Sequence, residues 1–180
     1  MWRCDFQACR ADSVRVLGDC MICNQHLCYK HLKPEHHKCP PWEDAEAYEA
    51  ASRVSESNEI KHLLETINIS ALHQTASSLR NGMICSVSTT NLIKGGMNVH
   101  LEIVFDDGVV WLARIRRHNA TSPPPALRDH ILRSEAATLH FLEGTRVPAP
   151  KVFRFAFEHE TDNPVGVSYL IYEKLPENPL

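Results

Sequence analysis

The chain has 180 residues, of which 43% are hydrophobic and 23% charged, with a formal net charge of -3. A slight acidic excess argues against general nucleic-acid binding, which normally shows surplus Lys and Arg, and no apolar run is long enough to span a bilayer. The opening residues, Met1-Trp2-Arg3-Cys4-Asp5, lack the apolar core of a secretory signal, so a cytoplasmic or nuclear location and a reducing environment are expected, with no membrane partner.

Six of the seven cysteines fall between Cys4 and Cys39, in the pattern Cys4-x4-Cys9-x10-Cys20-x2-Cys23-x4-Cys28-x2-His31-x5-His37-x-Cys39. Disulfides need an oxidising compartment, so the run is read as metal-ligating. Zinc takes four thiolate or imidazole ligands, and a close pair supplies two of them from one tight turn. Cys4/Cys9, Cys20/Cys23, Cys28/His31 and His37/Cys39 are four such pairs, enough for two closed structural zinc sites. His36 stands beside His37 and is an alternative ligand; His26 is expected to be a solvated loop residue. Apolar residues are few here (Val14, Val16, Leu17, Met21, Ile22, Leu27, Tyr29 and Leu32). Metal must therefore supply the folding free energy, roughly 10–16 kcal/mol for a structural zinc.

The run from Cys23 to Cys39, Cys-x4-Cys-x2-His-x5-His-x-Cys, resembles the AN1-type zinc finger, and the likeness covers about the first forty residues. The first pair differs: the family usually has Cys-x2-Cys where this chain has Cys4-x4-Cys9. The resemblance implies a cross-braced arrangement, with Cys4, Cys9, Cys28 and His31 on one ion and Cys20, Cys23, His37 and Cys39 on the other. It also implies a protein partner, ubiquitin-pathway and stress-response proteins included.

Pro40 and Pro41 close this segment, giving a first domain over 1–41. Residues 42–57 are acidic and poor in large apolar side chains. Ala45, Ala47, Ala50 and Ala51 favour helix, so a solvated linker with a short helix at its start is expected. The remaining domain is 58–180. Ile60, Leu63 and Leu64 recur at helical spacing. A further helix carries Ile69, Leu72, Ala76 and Leu79 on one face, is capped by Asn68 or Ser70 and is stopped by Asn81-Gly82.

From Met83 the period becomes two. Ile84–Val87 is a short strand holding Cys85, a small core residue. Met97–Phe105 turns Val99, Leu101, Ile103 and Phe105 one way and His100 and Glu102 the other. Asp107-Gly108 supplies positive backbone angles for a hairpin turn, and Val109–Arg116 returns with Trp111, Ala113 and Ile115 on one face and Val110, Leu112 and Arg114 on the other. After Pro123, Pro124 and Pro125 a helix runs from about Ala126 to Glu143. Lys151–Phe157 and Gly166–Glu173 are two further strands. The fold class is α+β: a small finger, then helices and an antiparallel sheet with one helix packed on a face.

This order, with Gly95-Gly96-Met97-Asn98, Asp107 to Ile115, Ser134 to Thr138, Val147 to Val152 and Tyr169 to Leu175, resembles the N-terminal lobe of kinase-like phosphotransferases. The likeness is nearest to the fungal members of the aminoglycoside-phosphotransferase family and covers about Leu72 to Pro179. It implies ATP with magnesium as ligands. Gly95 and Gly96 would form the turn that lets backbone amides approach phosphates. Arg114 would be the strand cation, Glu135 its helix partner and Glu173 the start of the hinge at adenine. No catalytic-loop Asp or later metal Asp follows, so the chain is expected to transfer no phosphoryl group, to bind ATP weakly, and to self-associate through the open face of the lobe. Two readings stand: a zinc-binding interaction protein carrying an incomplete kinase-like lobe, or a fragment of an ATP-dependent small-molecule phosphotransferase.

Overall fold

A computed structural model describes residues 2–176; the end of the kinase-resembling segment, after Pro176, lies outside the described residues. The architecture is α+β, with three helices and two antiparallel sheets among the described residues. The chain divides into two compact units. One runs up to Leu63 and takes in His118–Ser122; the other comprises Leu64–Arg117 and the chain from Pro123 onward. No helix among the described residues is long and apolar enough to cross a membrane.

The first unit contains a two-stranded sheet, β1 (Asp19–Cys20) and β2 (Gln25–His26), with Asp19 opposite His26. Its Cys-rich segment has a small apolar cluster, Cys4, Leu27 and Cys28, with Phe6, Cys9 and Leu32 packed on them; Ile60, Leu63 and Ala120 are also buried in this unit. Helix α1 spans Ala45–Thr66. The acidic stretch expected as a linker is therefore helical, and it is continuous with the apolar segment after Asn58. Asp44 accounts for its start, accepting the Ala47 N–H at 3.2 Å as an N-cap should. No Gly or Pro interrupts the 22 residues, and Arg53 reaches Glu49 one turn back at 3.4 Å, a weak exposed pair.

The second unit opens with α2 (Ile69–Leu79). Asn68, not Ser70, caps it, accepting the Ala71 N–H at 3.0 Å. Asn81 and Gly82 after it both adopt positive φ, 53° and 84°. The strands are β3 (Cys85–Val87), β4 (Ile93–Lys94), β5 (Asn98–Phe105), β6 (Val110–Arg116), β7 (Val152–Ala156) and β8 (Tyr169–Glu173), with α3 (Pro125–Glu143) between β6 and β7. Their order is β3-β5-β6-β8-β7, all antiparallel, and β4 lies on the same β5 edge beyond β3. The short β4 has too few residues for an alternating pattern to reveal it.

The β5–β6 hairpin differs from expectation in one respect. Gly108 takes φ +83°, but Asp107 is not in the left-handed region. The turn is a three-residue loop closed by Gly108 N–H to the Phe105 carbonyl and Phe105 N–H to the Val109 carbonyl, both 2.9 Å, which needs one glycine rather than two left-handed residues. Asp107 instead holds Arg80 in a bidentate pair at 2.8 and 3.0 Å, and the Arg80 guanidinium lies 4.4 Å from the Phe105 ring centre.

The sheet has two unlike faces, because strand side chains alternate. Val99, Leu101, Ile103, Phe105, Trp111, Ala113 and Ile115 are buried on one. On the other, α3 packs Leu132 and Ala136 against Leu170, Val152 and Phe157, while Asn98, His100, Glu102, Leu112, Arg114 and Arg116 are half-buried. Replacing Asn68 by Ala removes the cap of α2 and should lower stability by about 1 kcal/mol. The check is a lower urea midpoint at unchanged m-value, with Asn68→Ser intermediate.

Candidate metal centres

Two groups of four donor atoms stand in the first unit: Cys4, Cys9, Cys28 and His31, and Cys20, Cys23, His37 and Cys39. Within each group the donors lie within 4.8 Å of one another. In the first, Cys4 Sγ is 3.4 Å and Cys28 Sγ 3.5 Å from His31 Nδ1, and Cys9 Sγ is 4.0 Å from Cys28 Sγ. A tetrahedral ion with bonds of about 2.3 Å to sulfur and about 2.05 Å to nitrogen would set its donors about 3.8 Å apart for S···S and about 3.6 Å for S···N. The separations match a shared ion and are far beyond a disulfide bond; all seven cysteines are free thiols. In the second group Cys23 Sγ lies 3.6 Å from His37 Nε2.

Local structure explains how each pair converges. The wide Cys4–Cys9 loop closes because Ala8 takes φ +61° and Cys9 N–H meets the Phe6 carbonyl at 2.9 Å. The Cys28–His31 pair sits on a tight turn, His31 N–H to Cys28 carbonyl at 3.0 Å. Cys28 N–H also donates to Cys4 Sγ at 3.3 Å, which favours the thiolate. Cys20 ends β1 and Cys23 lies in the β1–β2 turn, where Asn24 adopts φ +55°. His37, not His36, joins Cys39. The His36 ring instead stands edge-on to His31 and Phe6, at 4.9 and 5.2 Å, and Phe6 stacks on His31 at 4.0 Å. His36 therefore supports the first centre from outside it.

Without a cation Cys4, Cys23 and Cys39 resist ionisation. Burial, followed by the neighbouring Cys20, pushes the Cys23 thiol up to about 12; burial likewise raises Cys4 and Cys39. Cys28 moves the other way, lowered chiefly by the His31 backbone N–H. Burial lowers His31 and His37, keeping the imidazoles neutral and able to donate a lone pair. Metal must displace thiol protons, so affinity should fall as pH falls.

Three residues around the centres carry structural duties that spacing of Cys and His does not reveal. Gly18 packs so closely that a Cβ would stand 2.1 Å from the Leu27 carbonyl oxygen and 2.8 Å from that of Val14. Asp19, with its side chain 3% exposed, accepts from the Val16 N–H at 3.0 Å and from His26 Nδ1 at 2.8 Å. Burial works to raise its pKa, and the His26 and Val16 hydrogen bonds outweigh that and hold it below the ordinary Asp range. His26 itself is a half-buried strand residue, its ring stacked 4.8 Å from that of Trp2, and not the solvated loop histidine its polarity suggests.

Among the candidate residues of the second unit, Arg114 and Glu135 meet on the α3 face of the sheet, whereas Glu173, opposite Trp111, belongs to the other face. Gly95 and Gly96 form the turn between β4 and β5, with Gly95 N–H on the Asn98 carbonyl at 2.8 Å. Neither glycine has positive φ. Arg114 Nη1 lies 2.8 Å from Glu135 Oε2 on α3, with the Arg114 side chain 13% exposed. Glu173 ends β8 opposite Trp111 and pairs through its backbone N–H with Lys151, 2.9 Å. The Gly95-Gly96 turn and Glu173 thus lie toward opposite ends of β6, with Arg114 between them. Five strand residues, about 17 Å, separate the position of Trp111 from that of Arg116.

Comparison with protein-family models, with curated proteins and with solved structures found no match.

Gly18→Ala should collapse the first unit, since both obstructing atoms are backbone. The expected result is loss of bound metal and of protease resistance in residues 2–41, while the second unit keeps its β-sheet circular dichroism.

Proposed function

We propose that the first unit is a structural two-zinc finger of the AN1 type acting as a protein-docking module, and that the second is a kinase-like lobe without phosphoryl-transfer activity of its own. One observation carries the first half: eight donors form two interleaved groups of three sulfurs and one imidazole. That donor set suits zinc, and four protein ligands per ion leave no open position for catalytic water. Free thiols in a metal-ligand role fit a reducing cytoplasmic or nuclear compartment. A docking role is supported by Val16 and Leu17, 81% and 67% exposed. Val16 takes φ +71°, an unfavourable angle for a β-branched residue. Ubiquitin-pathway proteins are the partner class the AN1 likeness puts first.

A second reading, a fragment of an ATP-dependent phosphotransferase of the aminoglycoside type, is favoured by the Arg114–Glu135 contact at 2.8 Å and by the spacing of the Gly95-Gly96 turn from Glu173. Under that reading Glu173 marks the adenine end, Arg114 the inner phosphates and the glycine turn the outer ones. Magnesium-holding carboxylates and an acceptor base, which this chemistry requires, have no counterpart assigned in these residues.

Metal analysis of protein purified without chelator should give about two zinc ions per chain. Cys28→Ser should release metal and unfold the finger, whereas Cys85→Ser should retain both ions. A stoichiometry near one, or zinc loss in Cys85→Ser, would overturn the ligand assignment. Separately, ATP turnover by the purified chain should not exceed that of Arg114→Ala; turnover that disappears in the variant would favour the phosphotransferase reading.

A further inference from the structure

The two donor groups are alike in composition and unlike in cover. In the first, Cys4, Cys28 and His31 are 5%, 7% and 6% exposed, and only Cys9 is half-buried. Phe6 lies on the His31 ring, centroids 4.0 Å apart, and His36 meets that ring edge-on. The second group is crowded from within, its donors all within 4.8 Å of one another, yet none of Cys20, Cys23, His37 and Cys39 is buried. Cys23 is exposed, and its Sγ meets polar side chains, His37 Nε2 at 3.6 Å and Gln25 Oε1 at 3.7 Å. A small reagent in water therefore reaches the sulfurs of the second group and is kept from most of those of the first.

Helix α1 is fastened to the same open group. Ser55, midway along the helix, donates its hydroxyl to the Met21 carbonyl at 2.7 Å, and Met21 lies between Cys20 and Cys23 in the β1–β2 turn. At the head of the helix, Asp44 N–H meets the Pro41 carbonyl at 3.1 Å, close after Cys39 in the chain. The Cys20–Cys23 turn and Cys39 thus hold the two ends of the stretch that seats the first half of α1.

We infer that the second group is an oxidation-sensitive site: a peroxide converts two of Cys20, Cys23 and Cys39 to a disulfide, releases the second ion before the first, and loosens the first half of α1. This rests on the two-zinc reading. The Cys23 thiolate attacks the peroxide O–O bond, takes one oxygen and releases hydroxide. The thiolate of Cys20 or Cys39 then attacks the Cys23 sulfur, displaces that oxygen as a second hydroxide and closes an S–S bond. Two electrons pass from the sulfur pair to the peroxide oxygens. One sulfur and one imidazole remain of the four ligands, too few to retain zinc. Sulfur oxidation follows thiolate character and access. Both groups offer metal-held thiolates, so access sets the order. In a reducing compartment such a disulfide is transient rather than structural.

The test treats the full zinc-loaded chain with hydrogen peroxide while a chromogenic chelator records released zinc, with samples quenched for alkylation and peptide mass analysis. Two phases are expected, the first equivalent of zinc leaving at least tenfold faster than the second. At the end of the first phase the disulfide lies within Cys20, Cys23 and Cys39, while Cys4, Cys9 and Cys28 are unoxidised. Deuterium uptake over residues 45–55 has risen by then, and uptake over β5 and β6 has not. A phosphine reductant with added zinc then restores two ions. A single phase of release from a chain that began with two ions, early oxidation of Cys4, Cys9 or Cys28, unchanged uptake over 45–55, or loss that the reductant does not reverse would each overturn the inference and leave the two-zinc reading standing. A content near one ion or none after loading overturns that reading, and this inference with it.

Discussion

Sulfur atoms 4.0 Å apart, such as those of Cys9 and Cys28, can both be thiolates only if a cation lies between them. Unit charges at that distance repel by about 4 kcal/mol at the effective dielectric of a protein surface. The Cys-rich segment up to Cys39 has three such sulfurs in each group and little apolar matter of its own. Its buried apolar cluster is Cys4, Leu27 and Cys28, so two of the three members belong to a candidate ligand set. A metal there would be a core and a charge balance at once. The two groups also interleave in sequence. Cys20 and Cys23 lie between Cys9 and Cys28, so an ion on the second group would fix the β1–β2 hairpin that leads the chain back to the first. Each ion would be bound by a shape that the other helps to make, and assembly should be cooperative for that reason.

That dependence explains why the finger was largely legible in the sequence. Ligand pairs must be close along the chain to share a turn, and spacing is a property of sequence. What spacing does not encode is the scaffold that aims the pairs. Gly18 reads as one glycine among several until the Leu27 carbonyl is found where its Cβ would be. Asp19 reads as a polar residue beside a cysteine, and it is a buried acceptor joining the Val16 turn to His26. His36 and His37 are indistinguishable by residue type; the Phe6 and His31 rings, distant in sequence, separate their roles.

In the second unit the long alternating strands and the amphipathic helices were legible because burial on one face imposes a period. Short elements were not: β4 has two residues, both exposed, and no period can be read from two. The acidic segment before Asn58 misled in the opposite direction. Its composition suggests a solvated spacer, but charge does not oppose helix when alanines, an Asp44 cap and the absence of Gly or Pro all favour it. The loop between β7 and β8 turns on Asn163, which donates to the Phe157 and Val167 carbonyls and accepts from Val165 N–H. Its partners are set by a fold that local sequence does not announce.

The contrast between the two sheet faces bears on function more directly than any single residue. One face follows the rule for a packed sheet throughout, from Val99 to Phe105 and from Trp111 to Ile115. The other departs from it in one patch: α3 covers Leu170, Val152 and Phe157 with apolar contacts, yet β5 and β6 present Asn98, His100, Glu102, Arg114 and Arg116 on the same side. Consistency between burial and residue type is what a sequence selected for folding alone tends toward, and local violations concentrate where a protein does something besides fold. The Arg114–Glu135 pair by itself is explicable as structure, since each charge answers the other. Arg116 is less so, because its Nε is buried without a partner on the same face.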